Sequence, residues 1–239
     1  FKALKQTPKN KLSLVVFSGI IGSFIPAYLF CIAETKIDSA LAGILNSLTP
    51  LFTIIVGMLV FKISIDPKKI GGILLGLVGL CISVVAGKTL HFENISFSFF
   101  IILATICYGF NVNMVGKHMQ NISAINIASL AFSFSIIPGM VILYLTGYFN
   151  NDFTNPALLN ATLASGTLGV INTSIASILF YVLVKRAGIL FASTVTYAIP
   201  FVSLAMGLLY NEAIHPMRLL GLAIILWGVY IVNKRGSTK

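Results

Sequence analysis

Apolar residues run along this chain in long stretches, and polar residues are confined to the short gaps between them. Eight stretches have about the length of a bilayer crossing: roughly 12–33, 38–61, 69–87, 96–115, 122–146, 160–184, 188–210 and 217–233. A crossing helix needs about 20 such residues. The longest gap, 147–159, reads GYFNNDFTNPALL, and its Asn, Asp and Pro mark a loop. The pattern predicts an all-α polytopic membrane protein.

Two of these stretches are interrupted in the same way. NSLTPLFTIIVG (46–57) and TYAIPFVSLAMG (196–207) place small polar groups within a turn or so of a proline inside an apolar run. They lie 150 positions apart. At that offset Gly19 meets Gly169, Leu29 and Phe30 meet Leu179 and Phe180, and Pro50 meets Pro200. Gly57, Lys68 and Gly71 meet Gly207, Arg218 and Gly221. No gap is needed, which indicates an internal repeat. The offset equals five spans, an odd number, so the copies face opposite ways across the membrane. The first copy covers 12–87 with three helices and is incomplete; the second covers 96–235 with five. Inverted repeats of this kind build secondary transporters, with a substrate site near the midplane. Proline removes a backbone donor and frees a carbonyl one turn earlier, which side chains or water then satisfy. Ser39, Gly43, Asn46 and Pro50 share one helical face.

Charge supplies the orientation. Only 9% of residues are charged and 57% are hydrophobic, against about 25% charged in soluble domains. With a cytoplasmic N-terminal segment, thirteen of the sixteen Lys and Arg residues fall on the cytoplasmic side; Lys36, Lys88 and Arg218 do not. Both ends are therefore expected in the cytoplasm. The first eleven residues carry four lysines and no signal-peptide core. The net charge of +10 is spread among membrane-flanking groups, so no nucleic acid partner is expected. No charged residue sits mid-span, which argues against a carboxylate proton pump and against enzymes that need an acid or base at depth. Cys31, Cys81 and Cys107 lie in apolar runs without CxxC spacing. His91, His118 and His215 are scattered at segment ends. No metal, cofactor or enzymatic activity is expected.

The run 167–234 contains LFYVLVKRAG, a Tyr-x-x-Pro helix at Tyr197–Pro200, the acidic Glu212 and the closing LLGLAIILWGVYI. The first half repeats the plan in IIGSFIPAYLFCIAETKIDSALAGILNSLTPLFTIIVGMLVF and KKIGGILLGLVGLCIS. In these motifs the chain resembles the EamA family of the drug/metabolite transporter superfamily, over nearly all of 12–235. The resemblance implies inverted five-helix repeats, of which the eight spans here correspond to the third to tenth helices. It also implies a small-molecule exporter of the bacterial inner membrane working by alternating access, its cavity lined by the first, second, fourth, sixth and seventh spans. The cargo implied is amino-acid-like or nucleobase-like metabolites, or drugs. The family carries an acidic residue after its fourth helix to mirror Glu212; here Lys62 occupies that position, with Asp66 following.

The candidate cavity residues are Asn46, Ser47, Pro50, Tyr108, Asn111, Asn172, Thr196, Tyr197 and Pro200, with Glu212 as a candidate gate. For each, the competing reading is a packing role, with amides bonding neighbouring helices. Tyr28 and Tyr181 are read as interfacial aromatics, and Glu212 equally as a solvated loop acid near a helix N-terminus. Neutral amide, hydroxyl and aromatic walls suit a cargo with hydrogen-bonding groups on an apolar body. The expected partners are a small-molecule substrate and the lipid bilayer; a homodimer is left open. The alternative function is a truncated or accessory membrane subunit without transport of its own.

Overall fold

The computed structural model describes residues 2–37, 39–85, 95–199, 201–202 and 216–234. Pro200 and Glu212 lie outside the described residues, as does the side chain of Asn172. Helix follows helix, with no strand among the described residues. A short helix, Lys2–Gln6, precedes span 1, Lys9–Glu34. Span 2 is made of two pieces, Ser39–Asn46 and Thr49–Leu59. Span 3 is Pro67–Val85, span 4 Ser98–His118, span 5 Ala124–Leu145 and span 6 Pro156–Ala187. Span 7 begins at Ile189, and span 8 is Pro216–Asn233. Spans 1, 4, 5 and 6 are each long and apolar enough to cross a membrane unaided.

Local chemistry sets the ends of these helices. Pro67, Pro156 and Pro216 open spans 3, 6 and 8, where a missing N–H costs no helical bond. Ser123 and Asn155 cap spans 5 and 6 by accepting the N–H groups of Asn126 and Ala157. Gly188 joins spans 6 and 7 at φ +91°, a backbone that strains any residue with a Cβ.

Span 4 is the buried axis. Of its apolar window 56% is buried, against 12% for span 6. Val112 and Val115 pack with Val15 of span 1, Ile127 of span 5, Tyr181 and Val184 of span 6 and Ala192 of span 7. The outward faces remain apolar, as at Tyr144, Leu145, Val170, Trp227 and Tyr230. In a bilayer such faces are solvated by lipid.

Spans 3 and 8, sister spans in the repeat, pack against each other. A Cβ on Gly72 would stand 2.8 Å from the Gly228 carbonyl oxygen, and one on Gly79 would stand 2.7 Å from that of Gly221. Contact advances along one helix as it retreats along the other, so the two run antiparallel. Glycine lets the backbones approach closely, a common way to join helices where lipid removes the hydrophobic drive.

The two copies also distort at matching places. Span 1 widens to a π-helix at Ile20–Phe24, and span 6 does so at Leu168–Thr173, against an expected counterpart at 170–174. Span 2 breaks at Ser47 and Leu48, and span 7 tightens to a 3-10 helix over Thr194–Ala198. In span 1 the cause is Pro26, which cannot donate to the carbonyl of Gly22, so the register slips and Ile25 N–H bonds Ile20 instead.

Candidate functional site

The proline in span 2 shapes one wall of the site. Pro50 has no N–H for the Asn46 carbonyl. The Thr49 hydroxyl takes that carbonyl at 2.6 Å, and Thr53 Oγ1 donates to the Thr49 carbonyl at 2.8 Å. The freed backbone group is thus satisfied without water, and the broken helix turns Asn46 and Thr49 into the protein interior.

They face a cavity of about 440 Å³. Its walls come from span 1 (Gly22, Ser23), span 2 (Asn46, Thr49) and span 4 (Tyr108, Asn111, Val112). Span 6 adds Thr173, Ala176, Ser177, Phe180 and Tyr181, and span 7 adds Ser193, Val195, Thr196 and Ile199. The cavity therefore lies between the copies and is walled by both π-helices and both broken segments. No charged side chain lines it among the described residues.

Span 4 carries two buried amides with different partners. Asn111, 3% exposed, accepts a hydrogen bond on Oδ1 from Ser18 Oγ at 2.5 Å and borders the cavity. Asn113, 1% exposed, donates to the carbonyls of Thr53 and Gly109, both at 2.8 Å. Two residues apart on a helix, the side chains point about 200° apart. One joins span 4 to span 1 beside the cavity; the other joins span 4 to span 2 away from it.

Of the candidates from the sequence, Asn46, Tyr108, Asn111 and Thr196 border this cavity. Ser47 and Pro50 are buried in span 2 outside its lining. Tyr197 is also outside the lining. Its hydroxyl donates to the Ile73 carbonyl at 2.8 Å, and its ring lies against Gly76, so it joins span 7 to span 3. Tyr181, read from the sequence as an interfacial aromatic, is 2% exposed and borders the cavity, because span 6 turns that face toward span 4. Tyr28 is exposed. Sequence reasoning missed Ser23, Thr49, Thr173, Ser177 and Ser193. Thr173, Ser177 and Tyr181 recur at four-residue spacing, a stripe that was visible in the sequence.

Near the ends of spans 4 and 6, cations are tied to backbone. Lys117 Nζ donates to the Phe61 carbonyl, and Lys185 Nζ to that of Ile122. Among the described residues no cluster of His, Cys, Asp or Glu has the makings of a metal site.

A bundle of apolar helices with matching distortions in spans 1 and 6 and in spans 2 and 7, around a cavity with no charged side chain among its described lining residues, fits a membrane transporter of the inverted-repeat kind. Residues 1–85 and 96–234 match the EamA-like transporter family, and the chain belongs to it. Among curated proteins it is similar to a probable amino-acid metabolite efflux pump of Salmonella typhimurium. The two are 24% identical over 233 residues, spanning 94% of this chain and 77% of the relative. A solved crystal structure superposes with a TM-score of 0.73 over 99% of this chain and 81% of the other, at 18% identity. That likeness speaks to the fold alone. The protein is thus a multi-pass membrane transporter of the drug/metabolite type.

Proposed function

We propose that the protein is a secondary transporter that exports small metabolites, amino-acid-like or nucleobase-like, or drugs across a bacterial inner membrane by alternating access. The observation that carries this reading is the cavity between the copies, walled by amides, hydroxyls and aromatic rings from five spans. A cavity of about 440 Å³ falls in the range that holds a drug-sized ligand. The distribution of Lys and Arg supports an orientation with both ends cytoplasmic. The efflux pump among its relatives supports export as the direction.

In this mechanism the irregular segments do the work of a hinge. Each copy bends where a π-helix or a break already interrupts the regular hydrogen-bond ladder, so rocking one copy against the other disturbs few regular helical bonds. Cargo sits against span 4 while the two ends of the cavity open in turn.

The test is flux. Inside-out vesicles containing the full chain should accumulate labelled members of a panel of amino-acid-like and nucleobase-like compounds in a saturable way. Asn111→Ala should lower uptake at least about tenfold at equal protein level, the loss of more than one kcal/mol of binding. Uptake no greater than in empty vesicles across the panel, with the chain held in a stable complex with another membrane protein, would refute this reading in favour of an accessory subunit.

A further inference from the structure

The loop between spans 4 and 5 is a meeting point for the ends of several spans. Met119 and Ile122 are buried, and the Ile122 N–H donates to the Met119 carbonyl at 3.1 Å. Those two side chains pin the loop into the bundle, and Gln120 and Asn121 between them are exposed. Hollows open on both flanks of the loop and share Gln120, Asn121 and Ile122 as a common wall. On one flank, Lys11 of span 1 and Lys117 and His118 of span 4 line a hollow of about 360 Å³. On the other, Lys185 and Arg186 of span 6 and Ser123, the cap of span 5, line one of about 370 Å³.

Two of the cations are braced in place. Lys117 Nζ donates to the Phe61 carbonyl, and Lys185 Nζ to those of Ile122 and Gln120. An ammonium has three hydrogens. Among the described residues Lys117 spends one in this way and Lys185 two, so each still has a hydrogen to donate. The bonds fix both charges at the walls of their hollows. Gln120 is braced as well, its Nε2 donating to the Gly116 carbonyl at 2.8 Å. The second hollow also runs into the lipid-facing surface. Val182, about one turn along span 6 from Lys185 and Arg186, belongs to its lining. Ile125, which follows Ala124 of that lining, is 60% exposed. Spans 4 and 6 end and span 5 begins at this level, so fixed cations and an apolar flank stand within about a turn of each other.

We infer that the two hollows form a site for the phosphate headgroup of an anionic phospholipid such as phosphatidylglycerol. Basic pockets between the ends of membrane helices suit such headgroups. The Arg186 guanidinium can meet two phosphate oxygens at once, and the braced ammonium of Lys185 supplies a further charge-assisted bond. The acyl chains then lie along the flank of Val182 and Ile125. A soluble phosphate gains the same charges but buries no apolar surface there, so the lipid is the tighter ligand. A zwitterionic lipid brings the same phosphate with an ammonium of its own, which the surrounding cations repel. The bound lipid fastens spans 1, 4, 5 and 6 together at this end of the bundle.

The test titrates the purified full chain, in uncharged detergent micelles, with phosphatidylglycerol and phosphatidylcholine of the same acyl chains, and counts bound lipid by native mass spectrometry. Phosphatidylglycerol should bind at least about tenfold more tightly. Lys11→Gln with Arg186→Gln takes one cation from each flank and spares the two lysines that brace the loop. This pair should remove at least about fivefold of the preference. Lys2→Gln with Lys5→Gln removes the same charge from the short helix before span 1, outside both linings, and should leave the preference unchanged. Equal losses in the two pairs overturn the site in favour of a general attraction between basic ends and anionic lipid. Equal binding of the two lipids overturns the proposal outright. Glycerol phosphate binding as tightly as phosphatidylglycerol overturns the lipid as the ligand and assigns the hollows to a soluble anion. The ranking of the lipids in the unaltered chain keeps its force even if the Lys11 and Arg186 pair does not fold. Arg186→Gln alone, at an exposed position, is then the second variant and should remove at least about twofold.

Discussion

Asn111 and Asn113 are two residues apart, both amides and both nearly fully buried, yet their replacement should fail in different ways. Consider Asn113→Ala. The change removes hydrogen bonds to Thr53 and Gly109, each 2.8 Å long, and only the first crosses between spans. Interhelical hydrogen bonds in membranes contribute about 0.6–2 kcal/mol. The lost carboxamide also leaves space against Gly57, where a Cβ would meet Asn113 Oδ1 at 2.8 Å. A void of that kind adds to the loss, for a total of about 1–3 kcal/mol. The folded-to-unfolded ratio then drops about 5- to 150-fold. The assay is equilibrium unfolding in mixed micelles, with flux normalised to folded protein in parallel. Asn113→Ala should lower stability by that amount and keep its flux per folded molecule, since Asn113 does not border the cavity. Asn111→Ala should do the reverse in weight, losing flux out of proportion to any loss of stability. A stable Asn113→Ala protein with poor flux would refute this division of labour along span 4.

Three further outcomes follow from the same structure. Tyr197→Phe removes the hydroxyl bond to Ile73 and should cost about 1 kcal/mol in a melting experiment while leaving cargo affinity unchanged. Thr49→Val keeps the volume but strands the Asn46 carbonyl, which Pro50 cannot serve; a loss of about 1–3 kcal/mol in unfolding experiments is expected, larger than for Thr146→Val at the exposed end of span 5. In the loop after span 5, hydrogen bonds from the Thr154 hydroxyl and then its N–H hold the Asp152 carboxyl below the usual carboxylate range. A lowered folded-state pKa contributes stability above the unfolded value and loses it as pH falls through the folded one. Limited proteolysis of this loop should therefore speed up at acid pH in the native chain, and Asp152→Asn should flatten that response.

The crossings were legible because lipid imposes one rule on every span: length and apolarity together. The irregularities inside them were legible only in part. Pro50 announces the break in span 2, and its freed carbonyl was foreseeable, but nothing in the sequence singles out Thr49 over Ser47 as the group that satisfies it. The π-helix in span 1 could have been suspected from Pro26; that in span 6 has Ala176 at the sister position and no such sign. Tyr197 illustrates the opposite difficulty. It sits in a polar stretch beside a proline, which suggests a ligand, yet the close approach that Gly76 allows turns it toward span 3. Tyr181 looked interfacial because it lies near the end of its apolar run. It is buried because spans 4 and 6 converge there, and convergence between distant segments leaves no mark in a local window.

The two copies agree where they bend and differ where they touch the cavity. The bends recur near equivalent heights: the π-helices of spans 1 and 6, and the interruptions of spans 2 and 7. The side chains at those bends do not recur. Gly22 stands opposite Asn172 in the repeat, Asn46 opposite Thr196, and Ser47 opposite Tyr197. Under the proposed alternating access, this split has a physical reason. Exchange between two facing states requires each copy to adopt the bend of the other, so the places that bend must be shared. Recognition of one asymmetric cargo requires no such exchange, because the cargo keeps a single set of contacts with span 4 throughout. Asn111 and Tyr108 belong to that span. Specificity is thereby placed on span 4, and motion on the bends of spans 1, 2, 6 and 7. Cavity substitutions on span 4 should change which cargo is taken, whereas substitutions at Pro26 or Pro50 should change how fast the chain turns over any of them.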